Sequence, residues 1–129
     1  MTITDNRPDV LRGAALAYAT LDHIEAHPRS WHQGEWRCRS GMCFAGHAAV
    51  LAGGRWADVL GTVHDTMMLA EDGDLAGVRR VDGTPVVAVG RRAARLLGID
   101  GETAGDIFHA DNTFDDLREK VERYLGPRP

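Results

Sequence analysis

Two cysteines and six histidines carry most of the reactive chemistry in this chain of 129 residues. Cys43 falls at the predicted start of a helix, where unpaired backbone N–H groups and the helix dipole favour an anion and so lower a thiol pKa. That is the setting of a nucleophilic cysteine. His109, with Asp111 and Asn112 just beyond it, could supply a general base and an orienting group in the matching chain order. A second chemistry overlaps the first. His32, Cys38, Cys43 and His47 offer four nitrogen or sulfur ligands within sixteen residues, with Cys43 and His47 on one helical face, a set that could close a structural zinc site. Its spacing lacks the tight Cys-x-x-Cys knuckle with which common zinc modules begin. His23 and His27 are also four residues apart, and a solvated pair is the simpler expectation for them. His64 has no clear placement.

The segment from Gln33 to Ala45 resembles the nucleophile region of papain-type proteases, in which a glutamine precedes a helix-opening cysteine followed by an aromatic residue, here Phe44. The resemblance implies Cys43 as nucleophile and His109 as base. The chain departs from that pattern in three places. Gln33 and Cys43 are too far apart, His109 sits at a predicted helix end instead of on a strand, and Asp111 and Asn112 follow it too closely. Cysteine is also among the most buried residue types, so a packed thiol is the main expectation and catalysis the alternative.

Residues 91–108 have the outline of a helix-turn-helix, but the second helix carries Glu102 and Asp106 and no basic residue. DNA readers need Arg, Lys, Asn or Gln there, so an ordinary helical hairpin is expected. Arg79, Arg80, Arg91, Arg92 and Arg95 could gather nearby as a patch for an acidic partner or phosphate, or as a solvated face balancing nearby acids.

The elements that must position these residues follow from periodicity and punctuation. Leu11, Ala14, Tyr18, Leu21 and Ile24 mark an amphipathic helix from about Asp9, a plausible N-cap, to Glu25, ended by Pro28. Residues 29–42 lack a helical period and read as an ordered loop pinned by Trp31 and Trp36. The small residues Ala45, Gly46, Ala48, Ala49 and Ala52 predict a buried central helix opening near Cys43 and stopping at Gly53-Gly54. Trp56, Val59, Leu60 and Val63 fit a short helix. Asp82-Gly83 between Val78–Val81 and Pro85–Val89 predicts a hairpin. Arg91–Leu97 closed by Gly98, and Glu102–Phe108, read as two further helices. Thr113 with Asp116 forms a capping box for a last helix with Leu117, Val121 and Tyr124 or Leu125 on its apolar face.

The length fits one domain, residues 1–129 with an ordered core of about 9–125, and 43% hydrophobic with 26% charged residues is an ordinary globular composition. A net charge of −4 makes nucleic acid an unlikely partner. No apolar run is long enough to span a bilayer and the N-terminus lacks a signal-peptide pattern, so a cytoplasmic protein with reduced thiols and no membrane partner is expected. Fourteen arginines against the single Lys120 suggest a GC-rich coding genome.

Trp36-x-Cys38-x4-Cys43-x-Ala45-Gly46-His47-Ala48, with Ala94-x-Leu96-Leu97-Gly98 and Ile107-Phe108-x3-Asn112-Thr113-x2-Leu117, resembles a group of small uncharacterised proteins of actinobacteria and their phages. That resemblance implies a shared architecture and no activity. The reading is a mainly α domain of about five helices with a small hairpin near residues 78–89. Its expected role is non-enzymatic interaction or regulation, with a phage association, through an unknown protein partner and without a cofactor. A hydrolase or transferase using Cys43, His109 and Asp111 is the alternative, and a zinc-stabilised module is third.

Overall fold

Glycine, proline and capping side chains set the helix ends in a computed structural model that describes residues 11–34, 37–38, 41–57, 67–74 and 77–129, with the backbone alone at 37 and 38. Helix α1 (Gly13–Ala26) ends where His27 precedes Pro28. Its N-cap is Arg12, three residues later than the Asp9 the periodicity predicts; Asp9 itself lies outside the described residues. Its buried face is Leu16, Ala17, Thr20, Leu21 and Ile24, while Leu11 stays exposed. The face is displaced from the predicted stripe because α1 touches three other helices. Thr20 tolerates complete burial by donating its hydroxyl to the Leu16 carbonyl at 2.7 Å.

Helix α2 (Phe44–Leu51) opens at Cys43, as the sequence predicts, and buries every residue from Phe44 to Ala49. Its small side chains let it lie against both α1 and the later helix α3 (Val89–Leu97). Gly98, at φ 73°, closes α3 in the left-handed conformation glycine adopts without penalty. Helix α4 (Gly101–Ile107) starts on Asp100, whose carboxylate accepts the Thr103 N–H. Helix α5 (Phe114–Leu125) starts on Thr113 with both bonds of the capping box to Asp116 in place. Leu16, Phe44, Leu97, Ile107, Leu117 and Val121, one or more from each helix, meet in the main core.

The loop before α2 holds more order than its composition indicates. Strands β1 (Arg37–Cys38) and β2 (Gly41–Met42) pair antiparallel, and Trp31 bridges to Met42. Trp31 packs on the main core, edge-on to Phe114 with ring centroids 6.2 Å apart; Trp36 lies outside the described residues.

Strands β4 (Arg79–Val81) and β5 (Thr84–Ala88) form the predicted hairpin, with Asp82 at φ 52° and Gly83 at φ 83° making the positive-φ turn that suits strand twist. A strand not foreseen, β3 (Met67–Leu69), pairs with the other edge of β5 and gives the order β3-β5-β4. Its three residues carry no usable period. Ala70 N–H donates to the Pro85 carbonyl, but proline has no N–H to return the bond, and β3 ends there. Trp56 bridges Met68 in extended conformation, so no helix begins at Trp56; the remainder of that predicted short helix lies outside the described residues.

Candidate functional site

Cys43 stands at the N-terminus of α2, yet its residue surface is only 2% exposed. Burial pushes the thiol pKa above its ordinary value, and the nearby backbone N–H groups of Gly46 and Ala45 offset only part of that rise. Desolvation therefore outweighs the helix end, opposite to the direction expected of an activated nucleophile. Ala45, Ala93 and Phe108 surround the thiol side of the helix.

Gln33 joins this helix end to another. Its Oε1 accepts the indole N–H of Trp31 (2.9 Å) and the backbone N–H of Phe44 (3.1 Å). Its Nε2 donates to the carbonyls of Ile107 (3.3 Å) and His109 (3.0 Å). Two donors on one side and two carbonyls on the other fix the amide orientation. One side chain thus satisfies an orphan N–H of α2 and an orphan carbonyl at the end of α4, Ile107, and ties both to the His109 carbonyl just beyond that helix. Asn112 completes the same seal by donating to the carbonyls of Asp106 and Ile107, both at 2.8 Å, while Lys120 donates to its Oδ1.

His109 and Asp111 are both exposed, and the histidine Nδ1 accepts the backbone N–H of Asp111 at 3.1 Å. It is Phe108, the residue before His109, that meets the cluster containing Cys43. Of the four potential zinc ligands, His32 is exposed and Cys43 and His47 are buried, while the Cys38 side chain lies outside the described residues. Among the described residues, no three His, Cys, Asp or Glu side chains gather to hold a metal.

His47 does gather with histidines, but as tilted rings in contact. His23 lies 4.5 Å from His27 and 5.2 Å from His47 between centroids. His47 Nε2 donates to the Ser30 carbonyl at 2.7 Å. Burial lowers the His47 pKa below its ordinary 6.5; the Ser30 bond opposes this, and His23 and His27 reinforce it. A folded pKa below the unfolded one means protonation favours unfolding, so this contribution is intact above about pH 6.5 and is lost as pH falls through the folded value. Urea melts between about pH 7.5 and 5.5 should show wild-type stability falling, and His47→Gln, which keeps a donor for Ser30, should flatten that slope. Equal slopes in both proteins would exclude His47 as the source.

The arginines separate into two kinds. Arg92 is fully buried and was not foreseen as a core residue. Its Nε donates to both oxygens of Asp74 (3.1 and 3.0 Å), its Nη2 to Asp74 (2.5 Å) and to the Leu69 carbonyl (2.6 Å), and its Nη1 pairs with Glu71 at 3.2 Å. Arg95 pairs with the other side of Asp74. The sequence held a signal for this: Arg92 interrupts the stripe Val89, Ala93, Leu96, so an arginine on the apolar face needed a buried acid. Arg79, Arg80 and Arg91 are exposed.

Between α3 and α4 runs an open groove of about 840 Å³. Gly90 and Ala94 form one wall, Gly101, Ala104 and Gly105 the other, and Ile99 and Phe108 add apolar surface. Its only charged lining residues among those described are Arg91 and Arg95. Gly105 occupies a helix interior at a cost of about 0.5–1 kcal/mol relative to alanine, yet a Cβ there would meet nothing within 4 Å. Nothing among the described residues requires that glycine.

No protein-family model, curated protein or solved structure matches the chain. Among the described residues, no helix is long and apolar enough to cross a membrane.

Proposed function

We propose that this chain is a non-enzymatic interaction module acting in the cytoplasm, in an actinobacterial or phage setting, with the α3–α4 groove as its docking face. The groove itself carries the reading: an apolar trough of about 840 Å³, bare of acidic lining among the described residues and walled by glycine and alanine, suits a partner's close approach. The Trp31 to Gly53 unit serves as structure in this view, because Gln33 spends all its bonding capacity tying the start of α2, Trp31 and the chain at the end of α4 together.

Two measurements test this together. In a Cys38→Ser background, Cys43 should alkylate slowly at neutral pH and accelerate only above the range of an ordinary thiol, as its raised pKa requires. In co-purification from the producing cells, a partner held by wild type should be retained by Cys43→Ala and lost from Gly105→Phe. A fast thiol of depressed pKa, or a folded Cys43→Ala that loses its biological effect, would replace this reading with the thiol enzyme.

A further inference from the structure

We infer that the α3–α4 groove takes an amphipathic helix of a protein partner that carries Asp or Glu beside its apolar stripe. This rests on the docking reading above and adds the chemistry of the occupant.

The shape of the walls favours a helix. Gly90 and Ala94 lie one turn apart on α3, and Gly101 and Gly105 one turn apart on α4, so each wall presents a row without side-chain bulk. Rows of that kind let a third helix lay its own side chains between the two. The open side of the groove suits a long occupant better than a small molecule, which is held by burying most of its surface. Ile99 and Phe108 supply apolar contact for the occupant's stripe.

Charge selects among helices. Although the chain carries a net −4, neither charged lining residue among those described is an acid. Arg95 already pairs with Asp74, whereas Arg91 is exposed, lies over Gly77, and has no ion-pair partner among the described residues. A Cβ on Gly77 would stand 2.4 Å from Arg91 Nε, so that glycine leaves room for the guanidinium. An acidic residue flanking the partner's stripe would meet Arg91 at the rim, where charge sets orientation and rejects like-charged competitors. One exposed arginine at the groove is too little for a nucleic-acid backbone, which demands several phosphate contacts.

The test is selection from a displayed library of helical peptides with a fixed apolar stripe and flanking positions varied among Glu, Gln and Lys. The full chain is the target, and Gly105→Phe is the counter-target after a thermal melt shows it folded. Groove-dependent binders should favour Glu over Lys by roughly tenfold at a flanking position, and Arg91→Glu should reverse that preference. Binders that depend on Gly105 but ignore charge overturn the acidic occupant while leaving the docking face. A library without Gly105-dependent binders overturns the helical occupant, and the co-purification then reports separately on the groove. Concentration-dependent dimerisation that Gly105→Phe abolishes would assign the face to a second copy instead.

Discussion

Asp74→Ala should lower the unfolding free energy by about 3–5 kcal/mol, the cost of breaking a buried ion pair from one side, with the half-buried Glu71 left to face Arg92. Arg92 has no exposed surface, and three of its hydrogen bonds end on this one carboxylate. Asp74 also accepts the Glu71 N–H at 2.9 Å and pairs with Arg95, so its removal opens the Glu71–Asp74 turn as well. Arg92→Met should cost less. It removes the charge, keeps an apolar stem in place of the arginine's, and leaves Asp74 bonded to Glu71 and Arg95. The double variant should be more stable than the sum of the two single losses predicts, because the methionine removes the stranded charge that makes Asp74→Ala severe. Urea melts of all four proteins decide this; an Asp74→Ala loss within about 1 kcal/mol of wild type would mean water reaches Arg92. The same pair fixes an acid limit. Burial works to raise the Asp74 pKa, but the Arg92 and Glu71 bonds and the charges of Arg92 and Arg95 overcome it, leaving the carboxyl below its ordinary 3.8. Its contribution is present above that value and is lost as pH falls through the folded pKa, well below the window in which His47 acts.

Gln33→Leu should cost about 3 kcal/mol, against about 1 kcal/mol for Cys43→Ala. Leucine is of similar size but takes away the acceptor that Gln33 gave the Phe44 N–H and the Trp31 indole N–H. The two carbonyls fare better, because Asn112 also donates to both, from its side chain to Ile107 and from its backbone N–H to His109. Gln33→Glu sharpens the test: near neutral pH a carboxylate would face two carbonyl oxygens, so this variant should recover stability as pH is lowered toward protonation of the new side chain. If Gln33 instead served a catalytic centre, Gln33→Leu would keep its stability and lose activity. Denaturant melts of Gln33→Leu and Cys43→Ala side by side distinguish the two roles.

The contrast between Gln33 and Thr113 shows how far the sequence was legible. Thr113 and Asp116 announce α5 because both bonds of the capping box close within three residues. Gln33 could be noticed only through its resemblance to a protease glutamine, and the two carbonyls it donates to lie 74 and 76 residues away. Met67–Leu69 escaped for a related reason, since three residues become a strand only because β5 offers them an edge. Arg92 was partly legible, for its place in the apolar stripe demands an acid, but nothing local chooses Asp74 and Glu71 over the chain's other acids.

What the sequence by itself determined were features whose physics closes within a few residues: the Asp82-Gly83 turn, the glycine stop of α3, the capping box of α5, and the small-residue helix opening at Cys43. The tertiary structure decided what surrounds the polar groups, and with it the sign of the chemistry. A helix N-terminus lowers a thiol pKa through dipoles one turn away, and that effect can be read from the chain. Desolvation depends on every element packed around the group. At Cys43 it is Phe108 and Ala93, brought from far along the chain, that complete the burial and drive the pKa upward.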